Sequence, residues 1–130
     1  MNIKPDIAII FPITKNQEII FVRQYRHAIG EFVIELPAGR FDVNTESAET
    51  AAVRELREET GYFAEKVRKI GTLYHNPSKD TNQIHLFFAE NVVKVVNAGS
   101  ILQLAFIPCL KPRCGFLSQP HLQGFSAFIL

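Results

Sequence analysis

The chain has no tryptophan, one methionine and two cysteines among 130 residues, and it lacks any long apolar run. Each scarcity excludes something. Cys109 and Cys114 stand with four residues between them and no companion histidine spacing. They make neither a metal site nor a disulfide framework, and read as free thiols of a cytoplasmic protein. The longest apolar run able to mislead, residues 7–13, is seven residues long and includes Pro12. It is too short to cross a bilayer, and the N-terminus has neither the basic start nor the long apolar centre of a secretory signal. No membrane partner is expected. Charge of one sign is also lacking: 14 Lys and Arg against 13 Asp and Glu leave a formal net charge of +1, with no basic cluster or tail. That balance gives no electrostatic footprint for nucleic acid.

What is present describes a folded domain. An apolar fraction of 47% against 21% charged residues belongs to globular rather than disordered chains. The length suits a single domain over residues 1–130. Isoleucine-rich residues 6–14 predict a strand, a turn follows at 15–17, and residues 18–24 complete a hairpin. Residues 31–36 predict another short strand, ended by Pro37 and Gly39. Strands are expected again at 67–74 and 83–90, flanking a polar loop at 75–82, and at 101–107. A helix runs from Ser47 as N-cap to Gly61 just past its end, with Ala48, Ala52, Val53 and Leu56 on its buried side. Ser118 and Pro120 predict a final helix to about residue 128. Mostly strands with a central and a terminal helix make an α+β domain whose mixed sheet packs against helices.

The central helix carries the chemistry. At 3.6 residues per turn, Glu55, Glu58 and Glu59 fall within about 100° of arc, on one face. Crowded carboxylates repel one another unless something positive sits among them, and a hard cation such as Mg²⁺, bound by oxygens, would serve. The competing reading is a solvated acidic face with Arg54 and Glu58 as an ordinary i,i+4 pair. The flanks bear on the choice. Glu46, Arg54, Glu55, Leu56, Glu58, Glu59 and Gly61 match in register the Nudix box, Gly-x5-Glu-x7-Arg-Glu-U-x-Glu-Glu-x-Gly-U, with Tyr62 a conservative fit at its end. One departure stands out: six residues, 40–45, separate Gly39 from Glu46 where the pattern has five.

The chain therefore resembles the Nudix hydrolase family from about residue 6 to residue 90, and more weakly to its end. Val22-Arg23-Gln24-Tyr25-Arg26, Glu35-Leu36-Pro37-Ala38-Gly39 and Ile84-His85-Leu86-Phe87-Phe88-Ala89 look like the ADP-ribose pyrophosphatase branch. The resemblance implies an α/β/α sandwich and Mg²⁺-dependent cleavage of ADP-ribose or another ADP-sugar to AMP and a sugar phosphate, with Mn²⁺ as a substitute cation. It implies a cation held by Glu55, Glu59 and the Ala38 carbonyl, with Glu58 as further ligand or helper. Glu58, Glu59 and Arg54 would form the catalytic group, Arg54 fixing the carboxylate geometry. Arg26 would meet the diphosphate through the planar fork that suits phosphate oxygens, with Glu35, Gly39 and Asp80 beside the substrate. Relatives often place an acidic residue in the 75–82 loop to activate water. The aligned position here is Asn82, which cannot act as a base, so that role passes to Asp80 or to a helix glutamate, or else the loop serves another substrate with Lys79 meeting a phosphate. His75 and His85 read as polar residues at strand ends. Alternatives are a housecleaning triphosphate pyrophosphatase and a catalytically silent ligand-binding domain. The partner is a small-molecule nucleotide, and the resemblance leaves room for a homodimer.

Overall fold

The computed structural model describes residues 4–95 and 103–109. Within them the order is β1 (Asp6–Thr14), β2 (Glu18–Arg26), β3 (Glu31–Glu35), β4 (Ala38–Phe41), α1 (Ala48–Thr60), β5 (Tyr62–Phe63), β6 (Arg68–Tyr74), β7 (Gln83–Lys94) and β8 (Gln103–Pro108). The expected helix near residues 118–128 and Cys114 lie outside the described residues. The sheet is mixed, as expected. β1 runs parallel to β7, with Ile7 opposite Ile84 and Ile9 opposite Leu86, and every other pairing is antiparallel. β1 also pairs β4, with Ile7 opposite Arg40 and Ile9 opposite Ala38. Among the described residues no helix is long and apolar enough to cross a membrane.

Period-two alternation sorts β1 onto two cores. Ala8 and Ile10 pack with Ile20, Phe87 and the Ala51, Ala52 and Leu56 side of α1, while Ile9 packs with Leu36 and Ile84 on the opposite face. Helix α1 begins where Ser47 accepts a hydrogen bond from the Thr50 amide at 3.1 Å. It ends at Gly61, whose φ of 76° is left-handed and whose N–H bonds the Arg57 carbonyl. Its buried stripe is Ala51, Ala52, Leu56 and Thr60 rather than the expected set, with Ala48 and Val53 only half-buried. Thr60 is tolerated inside because its hydroxyl donates to the Leu56 carbonyl and accepts from the Tyr62 amide.

The connection from Gly39 to Glu46 is longer than the motif by one residue, and its structure shows how it is taken up. Arg40 and Phe41 extend β4 along β1, and then Asp42 builds a tight turn. Its carbonyl accepts from the amides of Thr45 and Glu46, and its carboxylate accepts from the Asn44 amide at 2.9 Å.

Candidate active site

Arg54 organises the acidic face. Its Nη2 donates to Glu46 Oε1 at 2.6 Å and its Nε to Glu46 Oε2 at 3.2 Å. Its Nη1 donates to Glu55 Oε1 at 2.7 Å and to Glu58 Oε2 at 3.2 Å. One guanidinium therefore ties three carboxylates together, which suits its five fixed donors. The hydrogen bonds that Arg54 donates to Glu46 hold the Arg54 pKa above its usual value, and the same contact holds the Glu46 carboxyl below its own. Glu55 behaves differently: burial pushes its pKa up despite Arg54.

Glu59 sits deeper than its neighbours. Burial first, then the charge of Glu55, push its pKa up to about 7, against the pull of the Ala38 backbone amide. Its Oε2 is buried without a hydrogen-bond partner, an expensive arrangement for a carboxylate. Gly39 faces the same spot: a Cβ built there would collide with the Glu55 carboxyl group. Absence of a side chain at residue 39 is thus what lets β4 lie against the glutamates. Among the described residues no three Asp, Glu, His or Cys side chains are gathered tightly enough to form a finished cation cage. The donor set nevertheless fits a hard divalent cation. It is all oxygen, it holds more negative charge than Arg54 neutralises, and it includes a buried oxygen lacking a partner.

A cavity of about 680 Å³ opens beside Glu59, with Arg26, Glu35, Gly39, Arg40 and His75 among its walls and Ile7 and Ile9 as apolar lining. Arg26 and Glu35 meet as a two-bonded pair: Nε to Oε1 at 2.9 Å and Nη2 to Oε2 at 2.5 Å. Glu35 is largely covered while Arg26 stays half exposed, its pKa raised by the Glu35 hydrogen bond. Ala38, Gly39, Arg26, Glu35 and Glu59 are thus brought to one cavity, with Glu55 packed behind Gly39. Glu58 is exposed at the helix edge, and Arg54 lies behind the glutamates rather than on the cavity wall.

Asp80 is placed elsewhere. It is 7% exposed, accepts from Lys4 Nζ at 2.8 Å, and does not line the cavity. Asn82 is also buried, its Nδ2 donating to the Pro5 carbonyl. Both residues clamp the 75–82 loop onto the start of β1. The loop's cavity residue is instead His75, which sequence reasoning passed over as a strand-end polar residue. No local pattern could have selected it, since its position depends on the pairing of β6 with β7. His85 remains structural, bonded through Nε2 to Asp6 at 2.8 Å and through Nδ1 to Lys69 at 2.9 Å.

A NUDIX domain profile matches residues 4–107. The chain is 36% identical over 88 residues to the ADP-ribose pyrophosphatase of Bacillus subtilis (strain 168), covering 68% of this chain and 47% of that protein. It is 30% identical over 107 residues to the methanol dehydrogenase activator of Bacillus methanolicus, covering 82% of this chain and 57% of that one. It spans about half the length of the curated relatives it matches. A crystal structure of an ADP compounds hydrolase superposes with a TM-score of 0.71 at 24% identity, covering 82% of this chain and 58% of that one, and so shares its α/β/α fold. With the motif in register, the fold shared and most of the chain matched, the chain belongs to the Nudix family.

Proposed function

We propose that this chain is a Mg²⁺-dependent hydrolase of nucleoside diphosphate derivatives, taking ADP-ribose or another ADP-sugar to AMP and a sugar phosphate. The observation that carries the reading is the Arg54-tied glutamate cluster with the unpartnered buried oxygen of Glu59 at the wall of a substrate-sized cavity. The likeness to an ADP-ribose pyrophosphatase supports the choice of substrate, and the family match over residues 4–107 supports one domain.

Hydrolysis adds one water across the diphosphate: a phosphorus–oxygen bond to the water oxygen forms, and the bridging phosphorus–oxygen bond breaks. Glu55, Glu59, Glu58 and the Ala38 carbonyl would hold the cation, which when bound shields phosphate charge and makes its water more acidic. A carboxylate of the same helix, Glu58 or Glu59, would receive the proton from the attacking water. Arg54 holds Glu46, Glu55 and Glu58 in place without touching the cavity. Arg26 keeps donor hydrogens beyond those used by Glu35, and these face the diphosphate. Glu35 serves by fixing that guanidinium.

Chromatographic product analysis with Mg²⁺ tests the reading. AMP and ribose 5-phosphate from ADP-ribose are the expected products. Inorganic pyrophosphate released from a triphosphate, with no cleavage of nucleotide sugars, would transfer the chain to the triphosphate pyrophosphatases. Nucleotide binding without turnover of any nucleotide would make it a silent ligand-binding domain.

A further inference from the structure

The cavity has a second polar side that the reading above does not use. Arg26 and Glu35 come from the β2–β3 hairpin, and Ala28, Ile29 and Val33 of the same hairpin region give that side an aliphatic surface suited to a nucleobase. Across from it, Arg40 comes from β4 and His75 from the end of β6. The strand register places them on either side of an apolar floor. Arg40 lies opposite Ile7, Ile7 opposite Ile84, and Ile84 opposite Leu73, two residues before His75. Three strand spacings make roughly 14 Å between backbones, too wide for the two side chains to meet and wide enough for a ligand group between them.

The two side chains differ in what surrounds them. Arg26 is neutralised by Glu35, whereas among the described residues the Arg40 guanidinium has no carboxylate partner. His75 is fixed from behind. Its amide donates to the Asn82 carbonyl, and its loop is pinned by Lys4 on Asp80 and by Asn82 on the Pro5 carbonyl. The buried Asp80 carboxylate lies 3.9 Å from His75 Nδ1, so Nε2 is the ring atom left for a ligand.

We propose that His75 and Arg40 form an anion subsite for the phosphoryl group distal to the nucleoside, with Asp80 as the positioning residue of His75. The inference rests on the nucleoside diphosphate reading and deepens it. The nucleoside lies along the hairpin side, Arg26 and the glutamates meet the middle of the diphosphate, and the distal phosphate reaches the β4–β6 side.

The test is isothermal titration calorimetry of ADP and of AMP with Ca²⁺ in place of Mg²⁺, which needs no turnover. His75→Ala and Arg40→Ala should each weaken ADP about tenfold, the loss of a charge-assisted hydrogen bond, and change AMP less than twofold. His75→Gln, which keeps a donor at the Nε2 position, should stay within about threefold of the wild type for ADP, while His75→Asn should not. Asp80→Asn should weaken ADP alone and add nothing further in the His75→Ala background, as a residue acting through His75 must. Unchanged ADP affinity in both alanine variants overturns the subsite. Equal losses for AMP and ADP overturn the distal assignment. A wild type that binds neither nucleotide overturns the nucleotide reading itself, and the subsite with it.

Discussion

Gly39 shows how a single missing atom can shape a site. Its φ is not left-handed, so alanine is permitted by the backbone, and the obstacle is the Glu55 carboxyl group where a Cβ would stand. Gly39→Ala should therefore fold while driving Glu55 away from Glu59 and the Ala38 backbone. Displacements of about 1 Å at a reacting centre cost on the order of a hundredfold in rate. We expect that loss in kcat for ADP-ribose with circular dichroism unchanged. A Gly39→Ala protein with wild-type turnover would show that Glu55 has no need of its place. Sequence legibility also differs residue by residue. Glu55, Glu58, Glu59 and Arg54 share one helix, so their spacing alone brings them together. Arg26 lies opposite Glu31 in the β2–β3 register yet bonds Glu35, which lies opposite Val22, so strand register alone does not name the pair, and His75 reaches the cavity only through the β6–β7 pairing. Asp80, two residues from Asn82, looks available in the sequence and is taken up by Lys4 in the fold.

At the scale of elements, α1 was readable because its ends are marked by residues with distinct physical jobs. Ser47 supplies an acceptor to an amide that has no intrahelical partner, and Gly61 adopts a left-handed angle that a side chain would strain. Ser47→Ala and Gly61→Ala should each lower stability by about 1 kcal/mol, measured as a shift of the urea midpoint at constant slope. Gly61→Asn, which tolerates the left-handed region, should lose less than Gly61→Ala. Equal midpoints for all variants would mean that tertiary packing alone sets the helix boundaries. β4 and β5 were not readable. Ala38-Gly39-Arg40-Phe41 has no β-branched residue, and β5 is 2 residues long, so both are strands only because β1 and β7 offer them ladders. β7 runs on to Lys94 past Asn91, whose φ of 53° bends it where local pattern suggested an end.

At the scale of the molecule, placing the glutamates over one another makes the acidic site a liability to the fold that a cation would relieve. Glu59 has a folded pKa of about 7 against an ordinary value of 4.5. The folded protein therefore holds a proton between those values that the unfolded chain has released. Stability contributed by protonated Glu59 is complete below about pH 4.5, falls as pH rises, and is gone once pH passes about 7. Glu55 is shifted in the same direction and Glu46 in the opposite one, so the raw pH profile mixes several groups. The difference between wild type and Glu59→Gln isolates one of them. With the cation removed by a chelator, the wild-type Tm should drop between pH 5 and pH 7.5 by more than that of Glu59→Gln. Adding Mg²⁺ should restore the wild type at pH 7.5, since a ligand bound only by the folded state stabilises it by mass action, and should do little at pH 5 where the carboxyl is protonated. Glu59→Gln should show neither the excess drop nor the full rescue. Parallel pH profiles for the two proteins, together with equal Mg²⁺ shifts, would place the cation away from Glu59 and return the acidic face to a solvated surface held together by Arg54.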